Sequence, residues 1–217
     1  MKVTLERYTV APEEIAGEAA ALCYNGKNPA KSLDVAMDGG HESVIEHAVF
    51  TFRIEGVSRV TLAQLTRHRL ASFSVSSQRY IRIVDVDFVT PQTIIDADFV
   101  TPQTIIDHAW QDNYKDEIMR NLSLYTLMVN DGVPCEDARY VLPQAFTCNV
   151  MMTMNARELR HFFSLRCCSR AQWEIRHLAR QMLALCQDVA PKLFADAGPG
   201  CVRGHCPEGE KSCKNDK

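Results

Sequence analysis

At 217 residues, with 46% hydrophobic and 24% charged side chains, the chain is long enough to bury a sizeable core in one large domain. No run approaches the ~18 apolar residues of a membrane span, and the alternating start "MKVTLERYTV" lacks the apolar stretch and cleavage site of a leader. A net charge of −3 argues against binding a nucleic acid polymer by bulk electrostatics. Nine cysteines without a regular framework argue against a secreted disulfide scaffold, so a reducing cytoplasm is the expected location.

The first ten residues read as a strand. "APEEIAGEAAALCY" follows with helical spacing, Pro12 in its first turn, and "NPAKSLDVAMDGG" reads as a second helix ended by Gly39 and Gly40. "HESVIEHAVFTFRIEG" passes from a short helical turn into a strand, because "VFTFRI" is rich in β-branched and aromatic residues; Gly56 closes it. "VSRVTLAQLTRHRL" returns to helical spacing, which puts Gln64, Arg67 and His68 on one helix face. "DFVTPQTIID" then occurs twice, at 87–96 and 98–107. This reads as a tandem duplication, one copy filling a strand and loop and the other lengthening an exposed connection; Pro91 and Pro102 argue against two central strands. A long helix is expected from about Asp107 to Asn130, then a turn and a short helix between Pro134 and Pro143. "AFTCNVMMTM" is a strand candidate, "NARELRHFFSLRCC" a helix capped by Asn155, and the stretch from Ala171 a final long helix ended near Pro191 to Gly198. Strands and helices mixed without βαβ alternation favour an α+β (α/β) fold over a doubly wound one. Residues 1–198 are expected to form a single domain, and 199–217 a Cys-containing mobile tail.

The chemistry-bearing residues are unevenly spread. Between Arg53 and Arg180 lie fourteen arginines against one lysine, Lys115. Guanidinium offers a planar fork of donors suited to phosphate, carboxylate and flat heterocycles, where ammonium is a mobile point charge. "RHRLASFSVSSQRYIR", residues 67–82, combines four arginines with four serines. Its serines are either nucleophiles or ligands. No G-x-S-x-G elbow surrounds them, and a serine between Arg69 and Arg79 is better explained as a hydroxyl donor to phosphate. On a helix from Asn155, Arg157, His161 and Ser164 form one stripe, with Arg166 on another side. The bland reading of each of these side chains alone is a solvated or packed helix face. No glycine-rich phosphate loop is present, so a nucleotide would be held by arginines and helix ends. Cys201, His205, Cys206 and Cys213 can be drawn as a zinc site, but their spacing is not C-x-x-C, and free thiols with no metal are the expectation.

These blocks together resemble the flavin-dependent thymidylate synthases. The resemblance is carried by "RHRLASFS" running on to Ser77, "GGHESVIEHAVFTFRI" and "AQLTRHR" before it, "SQRY" closing it, "GVPCEDARYVLP", and "NARELRHFFSLRCCSRAQWEI", in order over residues 39–176. It implies a twisted, mainly antiparallel sheet flanked by helices. It also implies conversion of dUMP to dTMP, with methylenetetrahydrofolate giving the one-carbon unit and NADPH the electrons, and FAD carrying hydride. A homotetramer with active sites between subunits is implied too. By position, Gln64, Arg67, Ser77, Arg79, Arg139 and Arg166 are similar to the family's dUMP contacts, with the 75–78 backbone (Val75, Ser76, Ser77, Gln78) assisting. Ser43, Arg67, His68, Arg69, Asn155, Arg157 and His161 resemble its FAD contacts, and Arg166 its activating catalytic residue. Val75 stands where many relatives carry an acid, and Arg170 where some carry histidine. Two rival readings are a nucleotide- or RNA-binding module using the same arginines without turnover, and a serine hydrolase using Ser77.

Overall fold

The computed structural model describes residues 1–83, 99–204 and 206–213. The strands are β1 (Lys2–Tyr8), β2 (Val49–Ser58), β3 (Ser72–Val75) and β4 (Thr147–Asn155), in the sheet order β1-β2-β4-β3. The pairing is antiparallel, and with the helices around it the fold is α+β. In β2 and β4 buried and less buried residues alternate, as a sheet with one face on the core requires. Gly56 does not close β2. The strand runs on to Ser58 through a left-handed Gly56 (φ 72°), a conformation open to glycine without strain, and its N–H donates to Asn149 Oδ1 at 3.1 Å.

The helices among the described residues are α1 (Pro12–Tyr24), α2 (Pro29–Asp38), α3 (Arg59–Leu65), α4 (Gln103–Asp107), α5 (Gln111–Asn130), α6 (Cys135–Ala138), α7 (Ala156–Arg166), α8 (Trp173–Val189) and α9 (Pro191–Phe194). Asn28 and Asn155 are side-chain caps, the second expected from the sequence. Asn28 accepts from Lys31 N at 3.1 Å and Asn155 from Glu158 N at 2.9 Å, each satisfying a first-turn N–H that has no partner inside its helix. One helix is shorter than its spacing suggested. α3 ends at Leu65, so Arg67 and His68 lie beyond it and do not share a helix face with Gln64. The long helix expected from Asp107 begins at Gln111, because Ala109 adopts φ 58° and breaks the run after α4.

The chain divides into two compact units, neither a continuous stretch. The first comprises 1–54, 64–74 and 150–217; the second 55–63 and 75–149. In the first, α1 packs on α2, and α8 packs on β1, α7 and α9. Its core is aromatic at the centre: Phe194 meets Phe50 edge-on at 5.4 Å and Phe163 at 6.0 Å, all three fully buried. A 3-10 turn at Glu42–His47 packs against α1 and α7, and Ala156 N donates to Ala48 O at 2.8 Å just after the turn. The second unit closes around Ile118, Leu122 and Tyr125 of α5, with Ala138 and Phe146.

The first copy of the duplicated decapeptide, 87–96, lies outside the described residues. The second copy is integrated from Phe99 on. Phe99 bridges Phe146, Val100 N donates to Ala145 O at 2.9 Å, and the rest of the copy forms α4. In the segment after 198, residues 200–203 and 209–211 form 3-10 turns, Arg170 Nε donates to Lys211 O at 2.6 Å, and Ser212 is buried. His205 lies outside the described residues, and among those described no group of three or more His, Cys, Asp or Glu side chains is placed to hold a metal. No described helix is long and apolar enough to cross a membrane.

Candidate active site

The nominated residues fall on both units. In the first, the 3-10 turn exposes Ser43 and Glu46, three residues apart and so on one face. Glu46 accepts from Arg157 Nη1 at 2.5 Å, which places the first turn of α7 against Ser43's segment and raises the Arg157 pKa through that hydrogen bond. Further along α7, Ser164 Oγ donates to the carbonyl of His161 at 2.7 Å. His161 is exposed, and its ring lies 5.6 Å from that of His68.

His68 is the most enclosed of these groups. Its side chain is 8% exposed, its ring meets the edge of Phe162 at 5.8 Å, and its Nε2 lies 3.1 Å from Glu158 Oε2. Burial depresses its pKa below the ordinary imidazole value; the Glu158 carboxylate opposes that shift, while His161 and Arg166 reinforce it.

The arginines of this unit sort into two kinds. Arg157 and Arg160 are matched by carboxylates: Glu46 for the first, Glu42 and Asp196 for the second. Arg67, Arg69 and Arg166 make no salt bridge among the described residues. Among the described residues Arg166 donates a single long bond, 3.4 Å, to Gln64 O, and its pKa is lowered by burial and by the positive charge of Arg67.

In the second unit, Val75 ends β3 and the chain turns. Ser76 is tied on three sides: its N donates to Asn149 O (2.9 Å), its Oγ accepts from Asn149 N (3.0 Å), and its O accepts from Arg59 Nη2 (3.1 Å). The anchored Ser76 fixes where the next residues emerge. Ser77 Oγ accepts from Arg79 N at 3.1 Å, a turn-type contact, and Gln78 lies between them. Arg79 Nε is ion-paired with Glu136, and Arg139 Nε donates to the carbonyl oxygen of the same Glu136 at 3.0 Å. The structure therefore brings Ser77, Arg79 and Arg139 to one cluster organised by Glu136.

Sequence reasoning missed the acids: Glu42, Glu46, Glu136 and Glu158. Glu136 stands three residues before Arg139, a helical spacing that signals contact. Glu158 lies 90 residues from His68, and nothing in local pattern joins them.

The antiparallel sheet and the helices around it define an α+β protein, in which Arg67 and Arg166 make no salt bridge among the described residues. The family described as thymidylate synthase complementing protein matches residues 4–192. The chain is 44% identical to the flavin-dependent thymidylate synthase of Geobacter sulfurreducens over 98% of its own length and 94% of that protein's. It is 42% identical to that of Clostridium tetani over 98% and 93%. In fold it is similar to ThyX of Helicobacter pylori complexed with FAD and dUMP, with a TM-score of 0.74 at 24% identity over 91% of this chain and 100% of that one. The chain belongs to the flavin-dependent thymidylate synthase family.

Proposed function

We propose that this chain converts dUMP to dTMP by reductive methylation, taking the one-carbon unit from methylenetetrahydrofolate and electrons from NADPH through bound FAD. The observation that carries the reading is the Arg67–Arg166 pair. The positive charge of Arg67 acts on Arg166, and neither makes a salt bridge among the described residues, the electrostatics of a site for an anionic nucleotide. The residues fit FAD in the same sense. Arg67 and Arg69 are exposed and make no salt bridge among the described residues, so they are available to a pyrophosphate. Ser43, His68, Asn155, Arg157 and His161 belong to the same unit and would complete the flavin's contacts.

When bound, FAD supplies hydride chemistry; the chain's residues bind, orient and offset charge. Arg166 is assigned to the pyrimidine. A guanidinium partly withdrawn from water stabilises negative charge developing on that ring more strongly than a solvated one, and it needs no covalent bond to do so. Gln64, Arg67, Ser77, Arg79 and Arg139, with the 75–78 backbone, are assigned to dUMP. Ser77 is a ligand in this reading. Its hydroxyl is part of a turn with Arg79 N, and no base is hydrogen-bonded to it among the described residues. A homotetramer with active sites between subunits, in the cytoplasm, completes the proposal.

The test is the visible spectrum of the purified protein. Uptake of FAD, followed by a change in the spectrum of the dithionite-reduced form when dUMP is added, is expected. A protein that stays colourless after FAD addition, yet binds oligonucleotides with steep salt dependence, would instead be a nucleic-acid module.

A further inference from the structure

Glu158 has no role in the reading above, yet its carboxylate is 15% exposed and spends Oε2 on His68 Nε2 at 3.1 Å. Its backbone N–H is held by the Asn155 cap at 2.9 Å, so the first turn of α7 fixes where the carboxylate stands. The Phe162 ring packs perpendicular to the imidazole, centroids 5.8 Å apart. His68 Nδ1 has no hydrogen-bond partner among the described residues. A carboxylate accepts only, so the bond requires the proton on Nε2.

We propose that Glu158 is a positioning residue for His68, holding the imidazole in one orientation as the Nε2–H tautomer and leaving Nδ1 as a lone-pair acceptor for a donor group of the flavin. The assignment of the ligand rests on the flavin reading above; the tautomer does not. The charged or titratable groups acting on the ring among the described residues are Glu158, His161 and Arg166, all on α7. Of these only Glu158 favours the imidazolium. Removing its charge moves protonation of His68 to lower pH, and protonation destroys the Nδ1 acceptor.

The experiment uses the 15N-labelled full chain without ligand, its imidazole resonances assigned with His68→Gln, together with FAD binding followed across acid to neutral pH. Wild type is expected to show the Nε2–H tautomer. Glu158→Gln, whose side-chain oxygen still accepts, keeps that tautomer but titrates at lower pH, and the acid loss of FAD affinity moves with it. Glu158→Ala leaves both tautomers populated and weakens FAD binding about fivefold, the worth of one hydrogen bond. An Nδ1–H tautomer in wild type, or a His68 titration that does not move in Glu158→Gln, overturns the proposal whether or not FAD binds. Should Glu158→Ala fail to fold, the Gln variant, which preserves size and acceptor, decides. Absence of FAD binding by wild type overturns the flavin reading, while the imidazole spectra alone decide the coupling of Glu158 to His68.

Discussion

Arg160 places Nη1 and Nη2 2.6 and 3.0 Å from the two carboxylate oxygens of Asp196, with its own side chain only 3% exposed. Its Nε donates to Glu42 Oε1 at 2.9 Å and Nη1 also to Leu193 O at 2.6 Å. One guanidinium thus joins α7, the 3-10 turn that carries Ser43, and the segment after α8. Burial disfavours its charge, but the hydrogen bonds it donates to Asp196 and Glu42 prevail and raise its pKa. Arg160→Met removes the bonds to Glu42, Asp196 and Leu193 O together, leaving Glu42 with Arg203 at 3.2 Å, and is expected to cost about 3 kcal/mol, against about 1.5 kcal/mol for Asp196→Asn, whose side chain is half exposed. Urea unfolding of both variants at neutral pH checks the order; equal costs would contradict it.

Asn155 is both the cap of α7 and a proposed flavin contact, and the two roles separate by substitution. Asn155→Ala loses the 2.9 Å bond to Glu158 N and is expected to lose about 1 kcal/mol of stability. Asn155→Ser keeps a capping oxygen. It is expected to unfold like wild type yet bind FAD more weakly, and normal FAD affinity in it would confine Asn155 to capping.

Acid stability follows from two depressed pKa values. His68 has its folded pKa below the unfolded one, so its contribution is present above the ordinary imidazole value near ~6.5 and is lost as pH falls through the folded value. Asp196 is lowered by its hydrogen bond from Arg160, so its contribution holds above the ordinary carboxyl range and is lost at more acid pH. Unfolding free energy measured without ligand should therefore fall in two windows. In His68→Gln the upper window should flatten and the lower one persist.

Arg166→Ala is expected to keep FAD binding and lose about a hundredfold in turnover, the scale of removing one donor from developing negative charge. Ser77→Ala should chiefly weaken dUMP binding. Steady-state kinetics on both variants distinguish a binding serine from a nucleophile, since a nucleophile's loss would abolish turnover at any dUMP concentration.

Elements with strong local signals were readable in advance. Pro12 and Asn155 mark helix starts that the structure keeps, and the β-branched and aromatic run after Ala48 is β2. β3 was missed, because "SFSV" lies in a serine- and arginine-rich stretch whose chemistry outweighs its alternation. α3 was overextended: "LTRHRL" keeps helical spacing, but the chain leaves the helix after Leu65 to enter β3, a tertiary demand that periodicity does not carry. The arginines of the site were legible from composition and motif. Their acidic partners were not, since the pairing of Glu46 with Arg157, 111 residues apart, is made by the fold alone.

Binding of dUMP by these arginines for a flavin-dependent methylation is checked by product formation. The protein loaded with FAD is supplied with dUMP, methylenetetrahydrofolate and NADPH at low oxygen, and dTMP is measured. Wild type is expected to yield dTMP, and Arg166→Ala very little at equal flavin content. No dTMP from flavin-loaded wild type, or equal dTMP from both proteins, would contradict it.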